Sequence, residues 1–386
     1  MHVFSLYLLP STVLPILTPM SDNVSRMPWV DALKALACLL IVSHHLAFYG
    51  PMSDIAYPLM PGLIDGLYNN GRIAVQVFFV IAGFLLAGKF SPSATRPAIE
   101  PIIEPIRALK QRYLRLVLPY LVALILAMLS AALASGWMTH DSIPAEPNIV
   151  QLLTHVFLLQ DLLDQDALSA GVWYVAIDFQ LFAVAMLLLW LSQHIACRYP
   201  RLQASGPVLV AMLTTASLFA FNRNDAWDET ALYFFGAYGL GMLAYQVSRR
   251  RHGDVWLALL TLLVLAALLL EFRSRIALAG SVMLLLGLGR RYGVLERWAA
   301  PPFLTYLGRI SYSIFLVHFP LCLLVNAVFF HFFPQQPLIN LFGMVLALAL
   351  SIAAGAVFFK QVECRRMGNR TGLVLSAGFM AIGLLS

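Results

Sequence analysis

Charge is scarce in this sequence. Asp, Glu, Lys and Arg make up 11% of the 386 residues, while 60% are hydrophobic, and a soluble domain carries about 25% charge. That excludes a soluble globular chain and leaves a polytopic membrane protein. Cysteine is scarce too: Cys38, Cys197, Cys322 and Cys364 are scattered, with no CxxC pair and no disulfide-like spacing, which excludes a disulfide framework or a zinc ribbon. No internal repeat, low-complexity tract or separate soluble domain is visible. The first 25 residues lack the basic start of a signal peptide and are broken by prolines (LLPSTVLPILTP). Residues 1–28 therefore read as an extension, with Met20 and Met27 as alternative starts. The net charge of +6 is no nucleic-acid footprint, because its placement follows the loops.

Long apolar runs are what the chain has in quantity. Runs that suit a bilayer crossing lie at about 29–50, 72–90, 114–135, 172–191, 207–221, 229–247, 255–271, 275–289, 305–330 and 338–359. A last run, 373–385, is short for a span and suits the interface. With the N-terminus inside, the inner segments hold 21 of the 25 Lys and Arg, and the outer ones keep only Arg72, Arg223, Arg273 and Arg275. This is the asymmetry of the positive-inside rule. The expected fold is an all-α integral membrane protein of about ten transmembrane helices, with both ends of the core cytoplasmic. It divides into the 1–28 extension, a 29–360 membrane domain and a basic, then apolar, tail over 361–386.

The outer loop 136–171 carries Asp141, Glu146, Asp161, Asp164 and Asp166 but no Lys or Arg. Within it, IVQLLTHVFLLQDLL (149–163) has helical apolar spacing. It suits either an amphipathic helix on the outer surface or a re-entrant piece.

Ionisable groups inside spans are costly and mark candidate sites. The first span, WVDALKALACLLIVSHHLAFYG, holds Asp31, Lys34, His44 and His45. Lys34 and His45 are eleven residues apart, three turns plus ~20°, so they share one face about 16 Å apart along the axis; His44 points ~100° away. A lysine at a span end also serves as a topology anchor, and one helix alone does not separate the readings. RALKQRYLRLVLPY (107–120) puts Arg112 and Arg115 on one face, as anchors or as a phosphate clamp. GVWYVAIDFQLF (171–182) buries Asp178 and Gln180. That carboxylate needs a partner, and either a histidine of another span or a backbone group or lysine fits. YLGRISYSIFLVHFPL (306–321) brings Ser311, Tyr312, Ser313 and His318 together, the serines reading by themselves as interhelical hydrogen-bonding residues.

These segments, in this order, resemble the acyltransferase 3 family of integral-membrane O-acyltransferases. The family's Arg, ten residues, then His falls on Lys34 and His45. FFVxSGFL is matched by FFVIAGFLL (78–86), with Ala82 for Ser. RxxR-P is similar to RYLRLVLP (112–119), WxLxxE to WYVAID (173–178), and SYSxYLxHxP to SYSIFLVHFP (311–320). The resemblance covers about 29–360 and is to the stand-alone form, without a fused esterase-like domain. Lys34 for Arg keeps the charge but loses the guanidinium fork, and Asp178 for Glu is one methylene shorter.

The resemblance implies an enzyme that moves a small acyl group, acetyl above all, from cytoplasmic acyl-CoA to a hydroxyl of a cell-surface or secreted glycan. His45 is then the base or a transient acyl carrier, and Asp178 its orienting partner. Lys34, Arg112, Arg115, Trp173, Ser311, Tyr312 and His318 are the expected substrate-binding residues, the first three on CoA phosphates. No metal and no permanently bound cofactor is expected. The partners are acyl-CoA as co-substrate, a carbohydrate acceptor and the bilayer, with no nucleic acid, and the place is a bacterial inner membrane. The competing class is a transporter or flippase with a buried His/Asp proton relay.

Overall fold

The computed structural model describes residues 27–90, 104–202, 205–365 and 369–385. The sequence reading of residues 1–26 as an extension lies outside them, as do Arg96 and Arg366 of the loop-charge reading.

Sixteen α-helices carry the described residues. They are α1 Pro28–Phe48, α2 Pro51–Ala56, α3 Pro61–Asn70, α4 Val75–Phe90, α5 Pro105–Ser135 and α6 Ile149–Phe157, then α7 Trp173–Arg198, α8 Ser205–Phe219, α9 Ala231–Ser248, α10 Gly253–Leu270 and α11 Ser274–Arg291. The short α12 Val294–Arg297 and α13 Pro302–Arg309 precede α14 Ser311–Phe332, α15 Pro337–Phe358 and α16 Asn369–Gly383. Proline opens α1, α2, α3, α5, α13 and α15, where its missing N–H costs nothing and its fixed φ suits the first turn.

Among the described residues, eight helical segments are long and apolar enough to cross a membrane: 28–48, 61–90, 105–135, 173–198, 205–223, 253–270, 311–332 and 337–363. The two other spans read from the sequence are α9 and α11, each 18 residues long. Their apolar character is diluted by Tyr233, Tyr238, Tyr245 and Gln246 in α9 and by Arg275, Arg290 and Arg291 in α11. This is a multi-pass, all-α membrane protein.

α9 tolerates its polar residues because it is buried on nearly every side. Its tightest partner is α4, and glycine makes that approach possible from both directions. A Cβ on Gly83 of α4 would lie 1.9 Å from the Tyr238 carbonyl oxygen, and one on Gly241 of α9 would lie 1.9 Å from that of Val80. Two helices this close need small residues at the crossing.

Lys and Arg gather at one end of the bundle, called here the basic face. α1, α5, α8, α10 and α14 leave it, and α4, α7, α9, α11 and α15 return to Lys89, Arg198, Arg249, Arg291 and Lys360. The helix within 149–163 is the re-entrant piece. α6 is closed by an Asn148–Gln151 capping box and wedged beside α5, where the Tyr113 hydroxyl donates to the Val156 carbonyl at 2.6 Å. Tyr113 belongs to the early turns of α5, the part nearer the basic face. On the other side Leu152 packs against Gly383 of α16. The chain from α6 to α7 thus enters the bundle, and α7 begins deep among its neighbours.

Candidate active site

Two polar clusters lie along the same pair of helices, α7 and α14. On α14, Tyr312 and His318 are six residues apart, about 9 Å along the axis; on α7, Trp173 and Asp178 are five apart, about 7.5 Å. The cluster nearer the basic face contains Arg112, Asp178 and Tyr312. The deeper one contains His45, His318, Trp173 and the chain just before α7.

The deeper cluster is built around two imidazoles. His45 Nδ1 lies 2.6 Å from His318 Nε2, and the rings are nearly parallel, centroids 4.8 Å apart. Both residues are buried, 7% and 1% exposed. The next link fixes where the protons are. His318 Nδ1 lies 2.5 Å from the Phe315 carbonyl oxygen, an atom that only accepts, so Nδ1 of a neutral His318 carries the proton and Nε2 is the acceptor. His45 therefore donates from Nδ1, and its Nε2 keeps a bare lone pair. Pro320, inside α14, sits where its ring crowds the carbonyl four residues earlier and loosens this turn.

His44 is occupied elsewhere. Its Nδ1 is 2.9 Å from the Leu67 carbonyl oxygen, tying α3 to α1. The ~100° separation expected for adjacent helical residues holds, and the two histidines have different partners.

The expected pairing of Asp178 with His45 is not what the structure contains. Asp178 accepts from Arg112 Nη2 at 2.5 Å, and Arg112 also lies over the Phe182 ring, 5.6 Å from its centroid. A carboxylate 3% exposed inside a bundle needs a full counter-charge, and guanidinium supplies it where imidazole would not. The place next to His45 is taken by His318, expected as a substrate-binding residue.

The remaining expected residues are spread over both clusters. Tyr312 donates its hydroxyl to the Leu116 carbonyl at 2.9 Å, joining α14 to α5 one turn before Pro119, which lies inside α5. Arg115 is exposed and within electrostatic reach of Tyr312 and Glu363. Ser311 is buried and donates to the Gly308 carbonyl at 3.0 Å, so its hydroxyl bridges α13 and α14. Lys34 pairs with Asp31 at 3.2 Å, with side chains 25% and 18% exposed. Trp173 stacks on Phe234, centroids 5.6 Å apart.

Sequence reasoning passed over three participants. Glu363 accepts from the Ser313 hydroxyl at 2.5 Å, giving the second serine of SYS a partner at the very end of the last long span. Arg72 stands over Trp173 at 5.5 Å, although it counted only as one of four outer cations. Gly171 leaves so little room that a Cβ on it would lie 3.1 Å from His45 Cε1, and its positive φ of 75° was invisible in a sequence with 24 glycines. Among the described residues there is no group of three or more His, Cys, Asp or Glu disposed to hold a metal ion.

The arrangement supplies a buried base with an unpartnered nitrogen, held in one tautomer. Comparison with known proteins points the same way. A family profile described as an acyltransferase domain (acyltransferase 3) matches residues 27–356. No curated protein and no solved structure matches the chain.

Proposed function

This chain belongs to the acyltransferase 3 family and is an acyltransferase, and on that premise we propose that it transfers a small acyl group, acetyl above all, from acyl-CoA to a carbohydrate hydroxyl. The donor comes from the basic face, cytoplasmic by the positive-inside rule, and the acceptor from the other side of a bacterial cytoplasmic membrane. The single observation that carries the reading is the hydrogen-bond chain from His45 through His318 to the Phe315 carbonyl. It leaves His45 Nε2 as a base and holds the ring still.

The acceptor hydroxyl gives its proton to His45 Nε2 as its oxygen attacks the thioester carbonyl carbon. The imidazolium is stabilised through Nδ1 by the neutral His318, and the proton passes to the departing thiolate. His318 is thus a positioning residue for His45. Arg112 is already neutralised by the buried Asp178, so phosphate binding falls chiefly to Arg115, which is exposed, and to Lys34, whose partner Asp31 is less buried than Asp178. The Arg112–Asp178 pair and Tyr312, nearer the basic face than His45, would border the donor on its way to the base. Trp173 and Ser311 shape the path, Ser311 through the α13–α14 junction.

The test is direct product detection. Proteoliposomes given acetyl-CoA at the basic face and a soluble oligosaccharide at the other should form alkali-labile acetyl esters on the sugar. Acetyl-CoA consumption on the opposite side only would overturn the sidedness.

Lys34 gives a graded expectation. A charge-assisted hydrogen bond to phosphate is worth about 1.5–3 kcal/mol, so Lys34→Met should raise the KM for acetyl-CoA by roughly ten-fold or more. Lys34→Arg should retain or improve binding, since the fork engages two oxygens. The Asp31 partner makes membrane yield a necessary control. Equal KM values for the three properly inserted proteins would return Lys34 to a topology anchor.

A further inference from the structure

A base is half of an acyl-transfer site; the other half must hold the negative charge that develops on the carbonyl oxygen. Gly171 marks where that half lies. A Cβ there would sit 3.1 Å from His45 Cε1 and 2.9 Å from Phe315 Cζ, and its φ is +75°, so the backbone itself abuts the edge of the imidazole between Nδ1 and Nε2. Two residues later α7 begins. Its N-cap, Val172, has no side-chain cap. The Tyr174 and Val175 amides turn back to the Gly171 and Val172 carbonyls, while those of Val172 and Trp173 have no acceptor among the described residues. Unsatisfied amides at the start of a 26-residue helix form a pole of partial positive charge. The His45 side chain, more than nine-tenths buried and with Nε2 unpartnered, brings Cε1 against Gly171, the residue two before that pole.

A full charge stands beside it. Arg72 lies over the Trp173 ring at 5.5 Å and follows Gly71, whose Cβ position is 2.6 Å from His44 Cβ. Its field reaches His44, His45 and Tyr49. Among the described residues Arg72 has no carboxylate partner, although the neighbouring outer loops are rich in them. A free guanidinium next to a base opposes formation of the imidazolium, and this cost is offset only if an anion forms at the same moment within its reach.

We propose that the amino end of α7 and the Arg72 guanidinium together are the oxyanion site of acyl transfer at His45. As the acceptor oxygen bonds to the thioester carbon and its proton moves to His45 Nε2, the carbonyl π electrons move onto oxygen. The Val172 and Trp173 amides and Arg72 stabilise that oxyanion. Collapse restores the carbonyl, breaks the C–S bond, and the His45 proton leaves with the thiolate as CoA thiol. Gly171 is required because any side chain would fill the space of the reacting carbonyl. The inference rests on His45 as the base, and the experiment separates the two.

The measurement is thiol release from acetyl-CoA by purified wild type, His45→Gln, Arg72→Gln and Arg72→Lys, with water as acceptor. Arg72 is exposed, so its variants should insert normally. Arg72→Gln should lower kcat by about 10²–10³, the usual loss for one oxyanion donor, with the KM for acetyl-CoA within two-fold. Arg72→Lys should recover part of the rate, and millimolar guanidinium should restore Arg72→Gln, which a structural role would not allow. Full activity of Arg72→Gln beside an inactive His45→Gln would overturn the oxyanion site alone, as would a raised KM with unchanged kcat. Absence of thiol release by wild type would overturn both.

Discussion

His45→Ala is expected to lower acyl transfer by about two to four orders of magnitude, the contribution of a positioned general base, with the protein still in the membrane. His45 donates to His318 and nothing else holds its ring nitrogens among the described residues, so its loss removes the reacting atom without opening a backbone contact. His44→Ala should keep most of the rate. Its Nδ1 is engaged with the Leu67 carbonyl, about 100° around α1 from the His45 face, so the change loosens α3 without removing a reacting atom. His318→Ala should fall between them, because the base remains but its tautomer is no longer imposed. Initial rates at saturating acetyl-CoA check this order. A dead His44→Ala beside an active His45→Ala would show that α1 is rotated.

The second large effect is on stability. Arg112 and Asp178 are a buried ion pair, and removing one partner of such a pair leaves an uncompensated charge at a cost of about 3–5 kcal/mol. Arg112→Met and Asp178→Leu alone should each give poor yield and early thermal unfolding in detergent. The double variant should recover much of the loss, since well-packed apolar residues replace a buried pair at little cost. Asp178→Glu should be mild, as it keeps the charge and matches the family residue. If both single variants unfold like wild type, the pair is not structural, and Arg112 is free to bind phosphate.

Much of this fold was legible because one-dimensional periodicity governs it. Apolar length located the spans, including α9 and α11, and Lys and Arg sorted their ends. The face shared by Lys34 and His45 followed from 3.6 residues per turn. What periodicity does not contain is which helix abuts which. His45 and His318 are 273 residues apart and Arg112 and Asp178 are 66 apart, so a pattern that puts each on a buried face cannot choose between them. The residues alone left a histidine, a backbone group or a lysine open as the partner of Asp178, and the resemblance implied His45; burial favours a full counter-charge, Arg112. Arg72 was hidden for a different reason. Its place follows from a 3₁₀ turn at Gly71–Ala74 and from a chain that enters the bundle before α7, neither of which leaves an amphipathic signature.

The central claim is that the buried imidazole pair performs acyl transfer rather than carrying protons across the membrane. The most direct test is free thiol released from acetyl-CoA by the purified protein in nanodiscs, followed with a thiol reagent that spares Cys197 and Cys364, the two exposed cysteines among the described residues, after blocking them. The account predicts acetyl-CoA-dependent thiol release by wild type, stimulated by a sugar acceptor and abolished in His45→Gln. No thiol release from wild type, together with proton uptake into proteoliposomes that His45→Gln removes, would contradict it.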